Sequence, residues 1–131
     1  MVLPLVLATI FVASESYANA DETAPQSKTT VELKITIDDE SQTFKPVKHV
    51  DGMTVGALMK KIAKASKTFE FKSRGKGETF FVTSINKKKN EGARGNNWIF
   101  FVNGELGDES AGSYELEPGD TVEWKFQKYR P

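Results

Sequence analysis

The sequence predicts an α+β fold, with a mostly antiparallel or mixed, curled sheet packed on a single amphipathic helix. Three observations carry the prediction. Residues 31–37 and 121–127 alternate apolar and polar side chains with the two-residue period of a half-buried strand. Residues 54–66 form the one segment with apolar side chains at convincing helical spacing. The remainder after residue 67 is rich in Phe, Val and Thr and is punctuated by Gly, Pro and Asn.

The first twenty residues differ from the rest. Val2 to Ala13 is an apolar run broken only by Pro4 and Thr9, and Ala18-Asn19-Ala20 places small residues where a signal peptidase cuts. Residues 1–20 therefore read as a cleaved signal peptide, although the usual basic n-region is missing. The run is shorter than the ~20 apolar residues a membrane-spanning helix requires. The expected location is outside the cytoplasm (periplasmic, cell-surface or secreted), with no transmembrane span after cleavage. Cleavage leaves 131 − 20 = 111 residues, the length of one domain with a core of its own.

Residues 21–30 are polar, contain Pro25 and have no period, so they read as a disordered linker; the folded domain is expected over 31–131. Val31, Leu33, Ile35 and Ile37 form the inward face of a first strand. Asp38 to Ser41 has turn chemistry, and Gln42 to Val50 reads as the returning strand, confined by Pro46 to an edge or a bulge. In the helix, Val55, Leu58, Met59, Ile62 and Ala63 make one apolar stripe, Thr54 stands at the N-cap, and lysines fill the opposite side. Thr68 to Lys72 and Thr79 to Ile85 read as strands. Trp98 to Val102 is an uninterrupted apolar run, as expected of a strand buried on both faces. Pro118-Gly119-Asp120 is a turn before the last strand. A helix lying across a curled sheet, in a β-grasp-like arrangement, buries one stripe against one face.

Net charge is zero, but it is unevenly placed. Residues 45–94 hold thirteen Lys/Arg against four Asp/Glu, whereas residues 95–131 hold three against seven. Such asymmetry fits internal complementarity or a polar partner on the basic side.

The inventory argues against catalysis. Cysteine is absent, so thiol nucleophiles, thiolate metal sites and disulfides are excluded. His49 is the lone histidine and has no partners at fixed spacing for catalysis or metal binding. No catalytic residue, metal ligand or cofactor is expected, and the chain is read as a non-enzyme. Asp38-Asp39-Glu40 lacks the spaced acids and glycine of a calcium loop, and Gly75-Lys76-Gly77 lacks the ending of a phosphate-binding loop. Lys87, Lys88 and Lys89 are expected at a solvent-facing loop tip, where they could grip an anionic partner or simply discourage edge pairing. Trp98, Tyr114 and Trp124 read as core aromatics, with one or two as a possible ligand-facing patch; Asn103-Gly104 reads as a hairpin turn.

Three strings, Phe81 to Asn86, Trp98 to Gly104 (W-I-F-F-V-N-G) and Tyr114 to Trp124 (Y-E-L-E-P-G-D-T-V-E-W), together resemble the transcobalamin-like C-terminal domain family, and Gly52 to Leu58 is similar to its helix-opening segment. The resemblance covers roughly residues 31–127. It implies an exported, β-grasp-like, non-enzymatic module. In vertebrate cobalamin carriers the related domain closes over the corrin ring against a helical domain that this chain does not carry. The expectation is thus a binding or interaction module for an envelope or extracellular protein or ligand, with no nucleic-acid partner. The alternative is a domain that binds cobalamin or a related tetrapyrrole together with a separate partner. The candidate contact residues are Lys87, Lys88, Lys89, Trp98, Asn103 and Tyr114.

Overall fold

The computed structural model describes residues 29–130, so the expected signal peptide and all but the last two residues of the expected linker lie outside the described residues. Among the described residues, nine strands and one α-helix follow in the order β1 (Thr30–Ile37), β2 (Glu40–Thr43), β3 (Val47–Lys48), α1 (Val55–Ala65), β4 (Phe71–Arg74), β5 (Phe81–Ile85), β6 (Lys88–Lys89), β7 (Asn97–Val102), β8 (Glu105–Leu106) and β9 (Thr121–Gln127). A 3-10 turn over Gly77–Thr79 precedes β5. The class is α+β.

The larger sheet has the order β2-β1-β9-β7-β8, with β3 also paired to β1. Its central pair, β1 and β9, is parallel, and its other pairs are antiparallel, which makes the sheet mixed. Alternation in the three central strands puts Leu33, Val122 and Val102 in one cross-strand row, Ile35, Trp124 and Phe100 in the next, and Ile37, Phe126 and Trp98 in a third. Eight of these nine residues are buried, Ile37 being partly so. The α1 stripe of Val55, Leu58, Met59 and Ile62 belongs to the same core. Each large apolar side chain buried this way contributes about 1.5–3 kcal/mol before the entropy of ordering is subtracted.

The helix starts where its sequence says it should. Thr54 is extended and its Oγ1 accepts from the Ala57 amide at 3.1 Å. The other two free amides of the first turn, Val55 and Gly56, donate to the carbonyls of Tyr114 (3.0 Å) and Ala111 (2.8 Å). Gly56 permits that approach, because a Cβ there would stand 3.3 Å from the Phe80 ring.

The smaller sheet has the order β4-β5-β6 and carries a bulge between Lys72 and Ser73. Its seam to the larger sheet is made by two side chains. Asn90 donates Nδ2 to the Val82 carbonyl (2.9 Å) and accepts the Trp98 amide on Oδ1 (2.8 Å). Trp98 in turn donates its indole N–H to the Lys88 carbonyl at 2.7 Å.

Several expectations need correction. The returning segment Gln42 to Val50 is two short strands, because the chain leaves the ladder at Phe44 to Pro46, where proline has no amide to give. Thr68 to Glu70 is not strand; β4 begins at Phe71 and runs to Arg74. Trp98 to Val102 is not buried on both faces. Ile99 and Phe101 are only half-buried, and the Lys125 ammonium lies 4.9 Å over the Phe101 ring. Lys88 and Lys89 are not at a loop tip but form β6 against Ser84 and Ile85. The tip is Asn86-Lys87, whose φ angles of 49° and 70° make the two-residue turn that brings β6 back.

Candidate functional site

Two concave surfaces lie at opposite ends of β7 and carry opposite charge. The first, about 660 Å³, is built where β7 ends, around Asn103, Tyr114 and the carboxylates of Glu105, Asp108, Glu109, Glu115, Glu117 and Asp120. The second, about 560 Å³, lies at the start of β7 on the small sheet and is lined by Lys72, Arg74, Phe81, Thr83 and Lys89 among others.

The acidic groove is held by turns that the Asn103 and Asp120 side chains tie together. Asn103 and Gly104, with φ of 52° and 86°, form the two-residue turn between β7 and β8, as the Asn-Gly pair predicts. The Asn103 amide then clips that turn to the next: Nδ2 donates to Asp120 Oδ1 (2.8 Å) and Oδ1 accepts the Thr121 amide (2.9 Å). Asp120 Oδ2 accepts the Glu117 amide at 2.8 Å. Both ends of Asn103 and both oxygens of Asp120 are thereby committed to structure, leaving five groove carboxylates exposed to whatever enters.

Tyr114 is the aromatic wall of this groove. Its carbonyl takes the first amide of α1, and its ring meets Phe100 edge-on at 5.7 Å, perpendicular to it. The phenol is half-buried, and burial, reinforced by Asp120, Asp108, Glu105 and Glu109, holds its pKa above the ordinary value of 10.0. The hydroxyl therefore stays neutral and can donate.

The six sequence-predicted site residues do not converge. Asn103 and Tyr114 share the acidic groove. Lys89 belongs to the basic cleft, Lys87 to the turn before it, and Lys88 reaches over the Phe126 ring at 5.2 Å. Trp98 is 5% exposed, so its place is the core and the seam between the sheets. Sequence reasoning missed Glu105, Asp108, Glu109, Glu115 and Glu117, although the acidic excess of residues 95–131 was their signal. It also missed Lys72, Arg74 and Phe81, for which the interleaved Phe and basic residues of 69–81 were the hint. His49 proves to be an anchor: its Nε2 sits 2.7 Å from the Leu116 carbonyl, so that nitrogen carries the proton and donates. Among the described residues no group of three or more His, Asp or Glu is arranged to hold a metal ion, and no helix is long and apolar enough to cross a membrane.

Comparison with solved structures places the fold. Haptocorrin in complex with Cbi is similar at a TM-score of 0.66 and 19% identity, over 88% of this chain and 27% of that one. The chain thus spans about a quarter of haptocorrin. A candidate metal-binding protein from Ruminococcus gnavus ATCC 29149 is similar at a TM-score of 0.57 and 14% identity, over 78% of this chain and 99% of that one. At these identities the likeness is one of fold. No curated protein matches in sequence. Residues 52–128, more than half of the chain and including both the helix and the acidic groove, match the family described as domain of unknown function (DUF4430), and the chain belongs to that family.

Proposed function

We propose that this protein is an exported, non-catalytic binding module, β-grasp-like in architecture, whose acidic groove docks a cationic segment of an envelope or extracellular partner. One observation carries the reading: Tyr114, fixed through its backbone by α1 and through its ring by Phe100, stands among five carboxylates that no turn or cap uses. An aromatic face flanked by carboxylates attracts a lysine or arginine side chain both electrostatically and through the ring quadrupole. Catalysis has less support, since the Ser113 hydroxyl of the groove donates to the Ser110 carbonyl at 3.2 Å and not to a base that could activate it.

An oligo-lysine peptide titrated into the protein and followed by amide NMR tests the proposal. Shifts concentrated in residues 103–120 are expected, with roughly tenfold weaker binding when Tyr114→Ala is combined with Asp108→Asn. Shifts scattered over all acidic surfaces, or no binding at low ionic strength, would reject it.

A second reading, cobalamin or a related tetrapyrrole held jointly with a separate partner, is favoured by the fold likeness to haptocorrin. Alone, neither concave surface encloses a ligand to the ~70–90% usual for tight small-molecule sites. An unchanged visible spectrum and an unchanged melting temperature in saturating cobalamin would remove it for the isolated chain.

A further inference from the structure

The opposite cleft takes a different kind of ligand. Lys72 and Arg74 on β4 and Lys89 on β6 flank Phe81 and Thr83 on β5, on one side of a three-stranded sheet. The Arg74 guanidinium lies 5.4 Å from the centroid of the Phe81 ring, and Phe81 is nevertheless 48% exposed. None of the three cations forms an ion pair with a described residue. Glu91, the one carboxylate in the lining, accepts the Asn96 amide on Oε1 at 2.8 Å, so the lining holds three cations against one anion. Thr83, Asn90 and Asn97 are tied up, to the Lys72, Val82 and Gly92 carbonyls, so the cations and the ring are what the cleft chiefly presents to an anion.

We infer that this cleft binds a linear acidic polysaccharide of the uronic-acid type. A uronate has the two features the cleft matches. Its planar carboxylate fits the forked donors of an arginine and the ammonium groups of lysines. Its sugar ring presents polarised C–H groups that favour the electron-rich face of an aromatic side chain. At about 560 Å³ the cleft is in the range of sites for one or two such units. An anionic membrane fits less well. It would want a wider apolar surface, whereas Phe81 is the one large exposed apolar residue here; the other two on the described surface, Val50 and Tyr129, are outside the cleft lining. The proposal is independent of the acidic groove, since no residue lines both surfaces.

The test uses the full chain and oligogalacturonate, with affinity measured by calorimetry at physiological ionic strength. Methyl-esterified oligogalacturonate, a polyglutamate peptide, oligo-dT and vesicles containing phosphatidylglycerol serve as competitors of stated chemistry. Binding to the free acid is expected, with loss on esterification. Phe81→Ala and Arg74→Gln should each weaken it roughly tenfold, while Lys61→Gln on the exposed face of α1 should change it less than about twofold. Because Phe81 is half-exposed, its variant should keep the parent melting temperature, and Arg74→Gln supplies a second reading should it not. Absence of binding overturns the inference. So does equal affinity for polyglutamate, oligo-dT or vesicles with no effect of Phe81→Ala, which would mark the surface as a general ion exchanger.

Discussion

Replacing Asn90 by alanine should loosen the seam between the two sheets by an amount that can be worked out from its partners. The side chain makes two hydrogen bonds, to the Val82 carbonyl at 2.9 Å and from the Trp98 amide at 2.8 Å. Both bonds are part-buried, so truncation leaves a carbonyl and an amide with only partial access to water. An orphaned buried group costs about 1–3 kcal/mol, and partial hydration moves each toward the lower end, giving about 2–3 kcal/mol in all. For a domain of this size that corresponds to a fall in melting temperature of roughly 10–15 °C. Asn90→Asp keeps the acceptor for Trp98 but sets a carboxylate oxygen against the Val82 carbonyl where the donor stood, so its loss should be no smaller than that of alanine. Urea unfolding followed by tryptophan fluorescence reads both variants. A loss below about 0.5 kcal/mol for Asn90→Ala, or an aspartate variant clearly more stable than the alanine one, would refute the assignment of the seam to this residue.

Three further outcomes follow from the same geometry. Trp98→Phe should cost about 0.5–1.5 kcal/mol more than Trp124→Phe, because the first removes the indole hydrogen bond to the Lys88 carbonyl whereas the second removes an indole N–H that has no partner among the described residues; paired denaturation curves check this. Tyr114, whose folded pKa is raised first by burial and then by Asp120, should ionise above the ordinary 10.0 in an ultraviolet titration. Its contribution to stability is therefore complete below pH 10 and lost as pH rises through the folded value, so melting temperature should fall less steeply at alkaline pH in Tyr114→Phe than in the parent. Lys87→Gly should stabilise by about 0.5–1 kcal/mol in thermal unfolding, since a lysine at φ 70° bears a left-handed strain that glycine does not.

Local chemistry was the part of the fold legible in the sequence. The alternation of Val31 to Ile37 and of Thr121 to Gln127, the stripe and cap of the helix and the Asn103-Gly104 turn all stand in the structure where residue type placed them. What pattern could not tell is how the far face of β7 is covered: Phe101 reads as core, yet it is shielded by the Lys125 side chain of the neighbouring strand. Three consecutive lysines read as a loop, but ladder bonds to β5 decide β6 and side-chain charge does not. The acidic groove was visible only as a composition. Its carboxylates are scattered from residue 105 to 120, and it is the fold of that segment over the start of α1 that gathers them around Tyr114. The separation of Trp98 from Tyr114 likewise depends on the opposite ends of one strand, which no local signal encodes.

The parallel pairing of β1 with β9 has a kinetic consequence. Ile37 meets Phe126 across 126 − 37 = 89 residues, so the centre of the larger sheet can close only when nearly the whole domain is available. Contacts so distant along the chain make folding slow, on the order of milliseconds to seconds, and leave little for a shortened chain to gain. A nascent polypeptide lacking its final strand would hold β1 with one open edge and an uncovered apolar face, unable to commit early. Folding is therefore timed by the arrival of β9, and a chain ending before residue 121 should remain a target for proteases rather than a partly built domain.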